Sequence, residues 1–434
     1  MNLSASKIEN ASNLARNMAW MVWSGVVSIA NSILLWIFIA RLRDVEELGR
    51  FTIVMGLYAL FFTVCSLGLM PYMTSEISRR SDSEKFVGSA SIFLTISGFV
   101  CAILMTAVGF FVSESDSVRI STAILSLAML PTGLISVAEA AAIAHGRTRL
   151  IAFVTTVENL LRTIIPLGLL YAGFDISIIS ASFVAVRFAA LAIYFVAASE
   201  FFAKFSFDKF EFGKILKVTP TFAGTIIFAA INWQAAVILL GRISTETEAA
   251  KFGAASRFLI PVTILMASYA SVIQPALARF TKEDSGAYLA KMARYPLVLA
   301  TFAALLSPFL SRFVLTFLFG EKYADVAPVL DILAVSVVPF CVVMIAARGL
   351  VAANAPHIDL LANALGVLVT FAVGFWLIPA YGAKGAALAQ LVSFLLMALV
   401  EVVYLSKKTN SFKIWRTASI SSIFLFATYI IIWN

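Results

Sequence analysis

The 434-residue sequence has few charged residues, three cysteines, two histidines and no long polar tract. Only 13% of the residues are charged and 61% are hydrophobic, whereas a soluble domain carries about 25% charged residues. This composition excludes a soluble globular protein, and it also excludes disorder, which requires low hydrophobicity. A mean hydropathy of +0.96 indicates a polytopic membrane protein.

Motifs of catalysis and of metal binding are missing. Cys65, Cys101 and Cys341 lie singly in apolar runs, without the spacing of a disulfide framework or a zinc site, so they are predicted to be packing residues. Neither a phosphate-binding glycine loop nor a nucleophile elbow is present. We therefore predict a protein that is not an enzyme and has no cofactor or metal.

Apolar runs long enough to span a bilayer fall into two groups of six. A hydrocarbon core of about 30 Å needs about 20 apolar residues in a helix. The first group lies at 18–40, 51–72, 87–112, 120–144, 151–171 and 178–198, and the second at 218–240, 252–277, 295–318, 328–352, 359–378 and 385–405. A shorter run at 417–433 makes a possible thirteenth span.

Two groups of six predict an all-α protein with two six-helix lobes. An even number of spans gives both lobes the same orientation, with a parallel pseudo-two-fold axis. Local sequence echoes support a duplication, for example Leu48-Gly49-Arg50-Phe51 after the first span and Lys251-Phe252-Gly253-Ala254 after the seventh. The predicted domains are an N-terminal segment at 1–17, an N-lobe at 18–198, a linker at 199–217, a C-lobe at 218–405 and a C-terminal segment at 406–434.

The basic residues lie in short gaps between the runs, a pattern typical of topology signals rather than of nucleic-acid binding. With a cytoplasmic N-terminus, the inside segments hold 19 Lys and Arg and the outside segments hold 8. The same N-terminus lacks the pattern of a cleaved signal peptide, because its first 16 residues are polar. We predict that it stays in the cytoplasm.

Several short motifs resemble a known family of transporters. They are Ala40-Arg41-Leu42 with Glu46-Glu47-Leu48-Gly49-Arg50-Phe51, Gly68-Leu69 with Arg79-Arg80, Gly146-Arg147-Thr148-Arg149, and Leu377-Ile378-Pro379-Ala380-Tyr381-Gly382-Ala383-Lys384-Gly385-Ala386-Ala387. These motifs resemble the polysaccharide-transporter branch of the multidrug/oligosaccharidyl-lipid/polysaccharide flippase superfamily.

The resemblance implies a flippase of the bacterial inner membrane that works by alternating access. Its substrate would be an undecaprenyl-diphosphate-linked oligosaccharide for O-antigen, capsule or exopolysaccharide assembly. Its partners would be that lipid-linked oligosaccharide, membrane lipids and the polysaccharide polymerase machinery.

Two related functions remain open as alternatives: a cation-coupled multidrug antiporter and a peptidoglycan-precursor flippase of the same superfamily. The antiporter needs a titratable carboxylate to exchange against a cationic drug, whereas the charge in the middle of the runs is mostly arginine. A membrane glycosyltransferase or polymerase would need a large outside loop, and no outside gap exceeds about a dozen residues.

Charged residues within the runs are the candidate functional residues, because a charge at the bilayer centre costs about 2.5–3.5 kcal/mol. Arginine binds phosphate bidentately and keeps its charge, so we predict a cavity that binds diphosphate through Arg187, Arg257, Arg162 and Arg348. Arg187 and Arg257 have no acidic neighbour in sequence and are expected to face water inside the protein.

The acidic and proline residues of the runs are assigned structural or coupling roles. Glu158 lies four residues before Arg162 on one helix, so the two can neutralise each other. Glu139 and Arg348 precede equivalent turns of the two halves by six residues and would form a structural pair between the lobes. Prolines inside the runs, namely Pro131, Pro261 and Pro339, are the predicted hinges, because proline removes a helical hydrogen bond.

The predicted topology is testable by cysteine labelling. Single cysteines at Ser83 and Ser206 should be labelled only from the cytoplasm, and those at Ser115 and Thr245 only from outside, because the basic residues favour the inside segments. Labelling at Ser115 from the cytoplasmic side would overturn the orientation.

Overall fold

The computed structural model describes residues 23–409, except for 24, 29, 32, 81–82, 198, 200–205 and 278–281. The segment 1–17, nearly all of 406–434 with the possible thirteenth span, and part of the linker 199–217 lie outside the described residues. The described part is helical and has no strand, which confirms the all-α prediction.

The helices follow one another with short connections. In chain order they are α1 (Gly25–Leu42), α2 (Val45–Cys65), α3 (Met70–Arg79), α4 (Glu84–Val112), α5 (Asp116–Ser126), α6 (Met129–Ala144), α7 (Thr148–Tyr171), α8 (Ile176–Ala197), α9 (Lys209–Ile243), α10 (Glu246–Ser256), α11 (Leu259–Leu277), α12 (Lys282–Phe319), a 3₁₀ turn (Glu321–Val326), α13 (Ala327–Ala352) and α14 (Pro356–Thr409).

The described residues contain ten helices that are long and apolar enough to cross a membrane, or eleven when the bent pair α10 and α11 counts as one span. The last of them, α14, holds two predicted spans, because its backbone leaves the helical region at Gly382 (φ 54°, ψ −127°). Glycine adopts such a positive φ without a steric penalty. Beyond Gly382 the chain folds back, since Ser393 Oγ donates to Gly366 O at 3.0 Å. The protein is therefore a multi-pass membrane protein.

Three spans are interrupted near the middle, each just before a proline. The breaks separate α2 from α3, α5 from α6 and α10 from α11, and the last pair is bent by 43°. Pro131 and Pro261 each lie in the first turn after a break, where a missing N–H is tolerated. Pro339 instead lies inside the continuous helix α13. A hinge role for these three prolines stays a prediction.

The chain forms two compact units. The first contains the described residues up to Leu42 together with Leu57–Ile227, and the second contains Arg43–Gly56 and the described residues from Phe228 onward. Helices α2 and α9 therefore contribute to both units. The predicted lobe boundaries and the parallel symmetry axis stay predictions.

Within the first unit, a half-exposed ion cluster joins the C-terminal end of α3 to the start of α9. Arg80 pairs with Glu76, and its Nη1 lies 3.0 Å from Glu211 Oε2. Burial lowers the pKa of Arg80, but the hydrogen bonds to the two carboxylates outweigh it, so the pKa lies above its ordinary value.

All three cysteines, Cys65, Cys101 and Cys341, are buried, as expected of packing residues.

Within the second unit, the start of α2 crosses α10 at very short range. A Cβ atom added to Gly49 would overlap the carbonyl of Glu246, and one added to Gly253 would overlap the side chain of Thr52. Small residues let helix backbones approach closely. An ion pair also joins the two helices at this crossing, with 2.6 Å between Arg50 Nε and Glu246 Oε2. The segments that contain the two sequence echoes therefore lie against each other.

This crossing yields a stability prediction. Gly49→Ala should lower the thermal midpoint of the purified protein, because overpacking a helix contact costs about 1–3 kcal/mol. The matched control is Gly213→Ala, where the added methyl group meets nothing within 4 Å and helix propensity favours alanine. Equal midpoints for the two variants would contradict the close crossing.

Candidate functional site

The clearest concentration of buried charge in the first unit surrounds Glu158 on α7. Arg187 on α8 donates through Nη1 to both carboxylate oxygens of Glu158, at 2.8 and 3.0 Å. Arg162, one turn further along α7, places Nη2 2.9 Å from Glu158 Oε1. Two guanidinium groups therefore share one carboxylate. Arg187 is only 5% exposed and Glu158 only 9%, so this ion pair lies in the core of the unit.

Polar and aromatic groups from other helices complete the cluster. Arg187 Nε donates to Thr132 Oγ1 on α6 at 3.1 Å, and Arg162 Nη2 donates to Tyr58 Oη on α2 at 2.8 Å. The guanidinium carbon of Arg187 lies 4.9 Å from the ring centroid of Phe62, a cation–π geometry. These contacts come from four helices and fix both guanidinium groups in orientation.

One donor of the cluster is left without an acceptor. The Nε atom of Arg162 is buried and has no hydrogen-bond partner among the described residues. A buried donor without a partner costs about 1–3 kcal/mol, and more when the group is charged. The cluster therefore retains capacity for another anionic or polar acceptor beside Glu158.

Glu139 on α6 is a second carboxylate of the same neighbourhood. It lies near Arg187 and near the hydroxyl of Tyr194 on α8. Two glutamates thus accompany the two arginines, although the ion pairs within 4.0 Å involve only Glu158 among the residues described. The predicted pair between Glu139 and Arg348 stays a prediction.

The structure confirms one sequence-based expectation about this cluster and corrects another. The pair of Glu158 and Arg162 is formed as the four-residue spacing predicts. The expectation that Arg187 faces water is wrong, because it forms a buried ion pair with Glu158, 29 residues earlier in the chain. The contributions of Tyr58 and Thr132 were missed, since neither residue is charged.

The two other candidate arginines lie in the second unit. Arg257 is half-buried at the break between α10 and α11. Arg348 lies on α13 and donates through Nη1 to Gln274 Oε1 on α11 at 3.2 Å. Since both belong to a different unit from Arg162 and Arg187, the four-arginine phosphate site stays a prediction.

A buried carboxylate of the second unit escaped the sequence analysis. Glu401 on α14 is 0% exposed, and Asp359, near the start of the same helix, is its electrostatic partner. Both residues lie within predicted spans, so a search for charges in all twelve runs would have found them. They were overlooked because each lies close to the end of a run, where charge usually faces water.

The greater part of the sequence matches a known protein family. The sequence profile of a family described as polysaccharide biosynthesis protein matches residues 14–281. The chain belongs to this family. A search of curated protein sequences finds no match.

Solved transporter structures share the fold of this chain. The lipid II flippase MurJ in an inward closed conformation has a TM-score of 0.76 at 16% identity, over 96% of this chain and 92% of that one. An inward-facing multidrug resistance MATE transporter of the MOP superfamily has a TM-score of 0.73 at 12% identity, covering 89% and 98%. A MOP superfamily transporter from Pyrococcus furiosus has a TM-score of 0.62 at 13% identity, covering 92% and 96%. This polysaccharide biosynthesis protein therefore has a MurJ-like and MATE-like transporter fold.

Removing Glu158 should destabilise the protein far more than removing an exposed carboxylate. Glu158→Ala leaves two buried guanidinium groups without their anion, and breaking a buried pair costs about 3–5 kcal/mol. The control is Asp116→Ala, whose side chain is 90% exposed and 3.9 Å from Arg119, and whose loss costs about 1 kcal/mol or less. Thermal midpoints in one detergent test this order, and similar losses for both variants would contradict it.

Proposed function

We propose that this protein is a flippase that moves undecaprenyl-diphosphate-linked oligosaccharide repeat units across the bacterial inner membrane by alternating access. The product would serve O-antigen, capsule or exopolysaccharide assembly, with the N-terminus in the cytoplasm and the polymerase machinery as a partner outside. Membership of the polysaccharide biosynthesis family supports the substrate class. The transporter fold supports the mode of action.

The observation that carries the proposal is the sharing of Glu158 between Arg162 and Arg187. Two oxygen atoms of a phosphate group can accept a bidentate pair of guanidinium hydrogen bonds as a carboxylate does, and a diphosphate offers more such oxygen atoms. Glu158 therefore occupies the place that a diphosphate oxygen would take. The buried Nε–H of Arg162 supplies a further donor for a ligand with more acceptor atoms than a carboxylate.

In this mechanism the diphosphate competes with Glu158 for the two arginines. In an empty carrier Glu158 offsets one of the two positive charges, so less uncompensated charge is buried as the carrier changes between its two states. A loaded carrier exchanges the carboxylate contact for the phosphate contact. The net binding free energy is the difference between the phosphate contact and the carboxylate contact that it replaces. The substrate is therefore bound weakly enough to be released on the far side.

The MurJ-like fold supports a second candidate function, that of a flippase for the lipid-linked peptidoglycan precursor. Both substrates present a diphosphate, so the charge cluster does not separate them. The identity of the lipid-linked saccharide that accumulates on the cytoplasmic face after deletion of the protein does separate them. Accumulation of a polysaccharide repeat unit supports our proposal, and accumulation of the peptidoglycan precursor overturns its substrate.

A cation-coupled drug antiporter is the less favoured alternative. Glu158 is engaged by two arginines, which would repel a cationic drug at the same place. Export of a cationic dye by the wild-type protein, abolished by Glu158→Gln, would favour the antiporter instead.

Substitutions of Arg187 should separate the roles of charge and geometry. Arg187→Lys keeps the charge but loses the bidentate fork, so it should retain partial transport, whereas Arg187→Ala should lose most of it. The same order is expected for Arg257. The assay is restoration of surface polysaccharide in a strain that lacks the protein, with the membrane level of each variant measured so that misfolding is recognised. Full restoration by both alanine variants would show that these arginines do not bind the diphosphate.

A binding experiment tests the proposed competition between diphosphate and Glu158 for the two arginines. Inorganic pyrophosphate should raise the thermal midpoint of Glu158→Ala more than that of the wild-type protein, because the variant has two guanidinium groups without their carboxylate. The double variant with Arg187→Ala is the matched control and should lose this response. Equal responses of all three proteins would contradict binding at this cluster.

A further inference from the structure

Helix α14 has two arms, which are the residues before and after Gly382. They bring the carboxyl groups of Asp359 and Glu401 together near one end of a helical hairpin. The backbone reverses at Gly382, so residues near 359 lie beside residues near 401. Two further contacts fix the ends of the arms: Lys408 Nζ donates to Ala353 O at 2.7 Å, and the rings of His357 and Tyr404 have centroids 6.3 Å apart. Asp359 lies three residues from the start of α14, or about 5 Å along the helix axis.

Glu401 is the more deeply buried member of the pair. Its side chain is 0% exposed, and neither carboxylate oxygen has a hydrogen-bond partner within 3.5 Å in the described part of the chain. Its electrostatic neighbour is Asp359, a half-buried carboxyl group that accepts a hydrogen bond of 2.9 Å from Asn363 Nδ2. Glu401 therefore has a carboxyl group beside it in place of a basic partner.

The charged group that faces this pair from a neighbouring helix is Arg348 of α13, which acts on Asp359. Arg348 makes no ion pair with Asp359 among the described contacts, and its Nη1 instead donates to Gln274 Oε1 of α11. Its Nε is buried without an acceptor among the described residues. His357, Tyr404 and Lys408 lie at the ends of the same hairpin, and Lys408 is already engaged with a carbonyl oxygen.

Two neighbouring carboxylates in such surroundings do not both stay ionised. A buried carboxylate without a counter-ion is strongly unfavourable, and a second negative charge beside it adds repulsion. A proton bound to the pair removes the repulsion and leaves one negative charge instead of two, as in other buried carboxyl pairs. A bound metal ion is a poorer solution, because the described residues contain no group of three or more acidic, cysteine or histidine side chains suited to a metal.

We propose that Asp359 and Glu401 form a proton-binding site of the second unit and that proton movement through it is coupled to transport. This inference rests on the proposed flippase function for its coupling part only. A carboxylate oxygen of the pair takes a proton from water and forms an O–H bond, and the same proton returns to water after the carrier changes state. No other bond is made or broken.

Arg348 provides the link between the proton and the conformation. While the pair holds its proton, Arg348 stays hydrogen-bonded to Gln274 of α11. Loss of the proton leaves two negative charges, which attract Arg348 toward Asp359 and away from Gln274. Protonation thereby changes the contacts between α11, α13 and α14, so it favours one state of the carrier over the other.

Proton binding is tested directly by pH-difference infrared spectroscopy of the purified full-length protein. Wild type should show the carbonyl stretch of a buried protonated carboxyl group, which disappears at high pH. Glu401→Gln should remove this titration, Asp359→Asn should move it to lower pH because the repulsion is gone, and the exposed-site control Asp116→Asn should leave it unchanged. A spectrum unchanged by both substitutions would overturn the proton site. Loss of the signal on adding sodium at constant pH would overturn a proton-specific site, because sodium would then displace the proton from the pair.

Coupling is tested in vesicles with an imposed pH gradient. The rate at which wild type moves a lipid-linked oligosaccharide should depend on the gradient, whereas Glu401→Gln should move it at a rate independent of the gradient. Gradient dependence that persists in a well-folded Glu401→Gln variant would overturn the coupling.

The two proposals fail differently in these experiments. If wild type moves no lipid-linked oligosaccharide but the infrared titration is present, the flippase proposal fails and the proton site stands. If wild type moves the lipid and the titration is absent, the proton site fails and the flippase proposal stands.

Discussion

Placing an ionised side chain in a low-dielectric interior costs several kcal/mol, and the buried charges of this protein are arranged around that cost. In the first unit, Glu158 accepts hydrogen bonds from Arg187 and lies against Arg162, so three buried charges share one neighbourhood. Thr132 and Tyr58 satisfy further guanidinium donors. Helices α2, α6, α7 and α8 must all keep their places for this balance to hold, so the charge cluster and the packing of the unit depend on each other.

Most of the membrane spans within the described residues could be located from the sequence, because hydrophobic length is a local property of the chain. The membership of residues 43–56 in the second compact unit could not be predicted in this way. The start of α2 belongs to the second unit, where Gly49 and Gly253 allow close helix contact and Arg50 pairs with Glu246. These partners are about 200 residues apart in the chain, and hydropathy does not record which distant helices touch.

The candidate site was predictable to a similar extent. The pair of Glu158 and Arg162 follows from helical spacing alone, whereas the contact of Arg187 with Glu158 depends on the packing of α7 against α8. Arg187 therefore looked unpaired in the sequence although it is among the most buried charges of the unit. Asp359 and Glu401 look like ordinary end-of-span charges until the reversal at Gly382 places them side by side.

The two units deal with buried charge in different ways. In the first unit, opposite charges meet, and we propose that an incoming anion replaces the carboxylate. In the second unit, two carboxyl groups meet, and we propose that a proton removes the repulsion between them. Each proposed event would change the partner of an arginine, Arg162 or Arg187 in one case and Arg348 in the other. Because a ligand shifts a conformational equilibrium only through a difference in binding, these exchanges of arginine partner are the steps at which substrate and proton can act on the carrier.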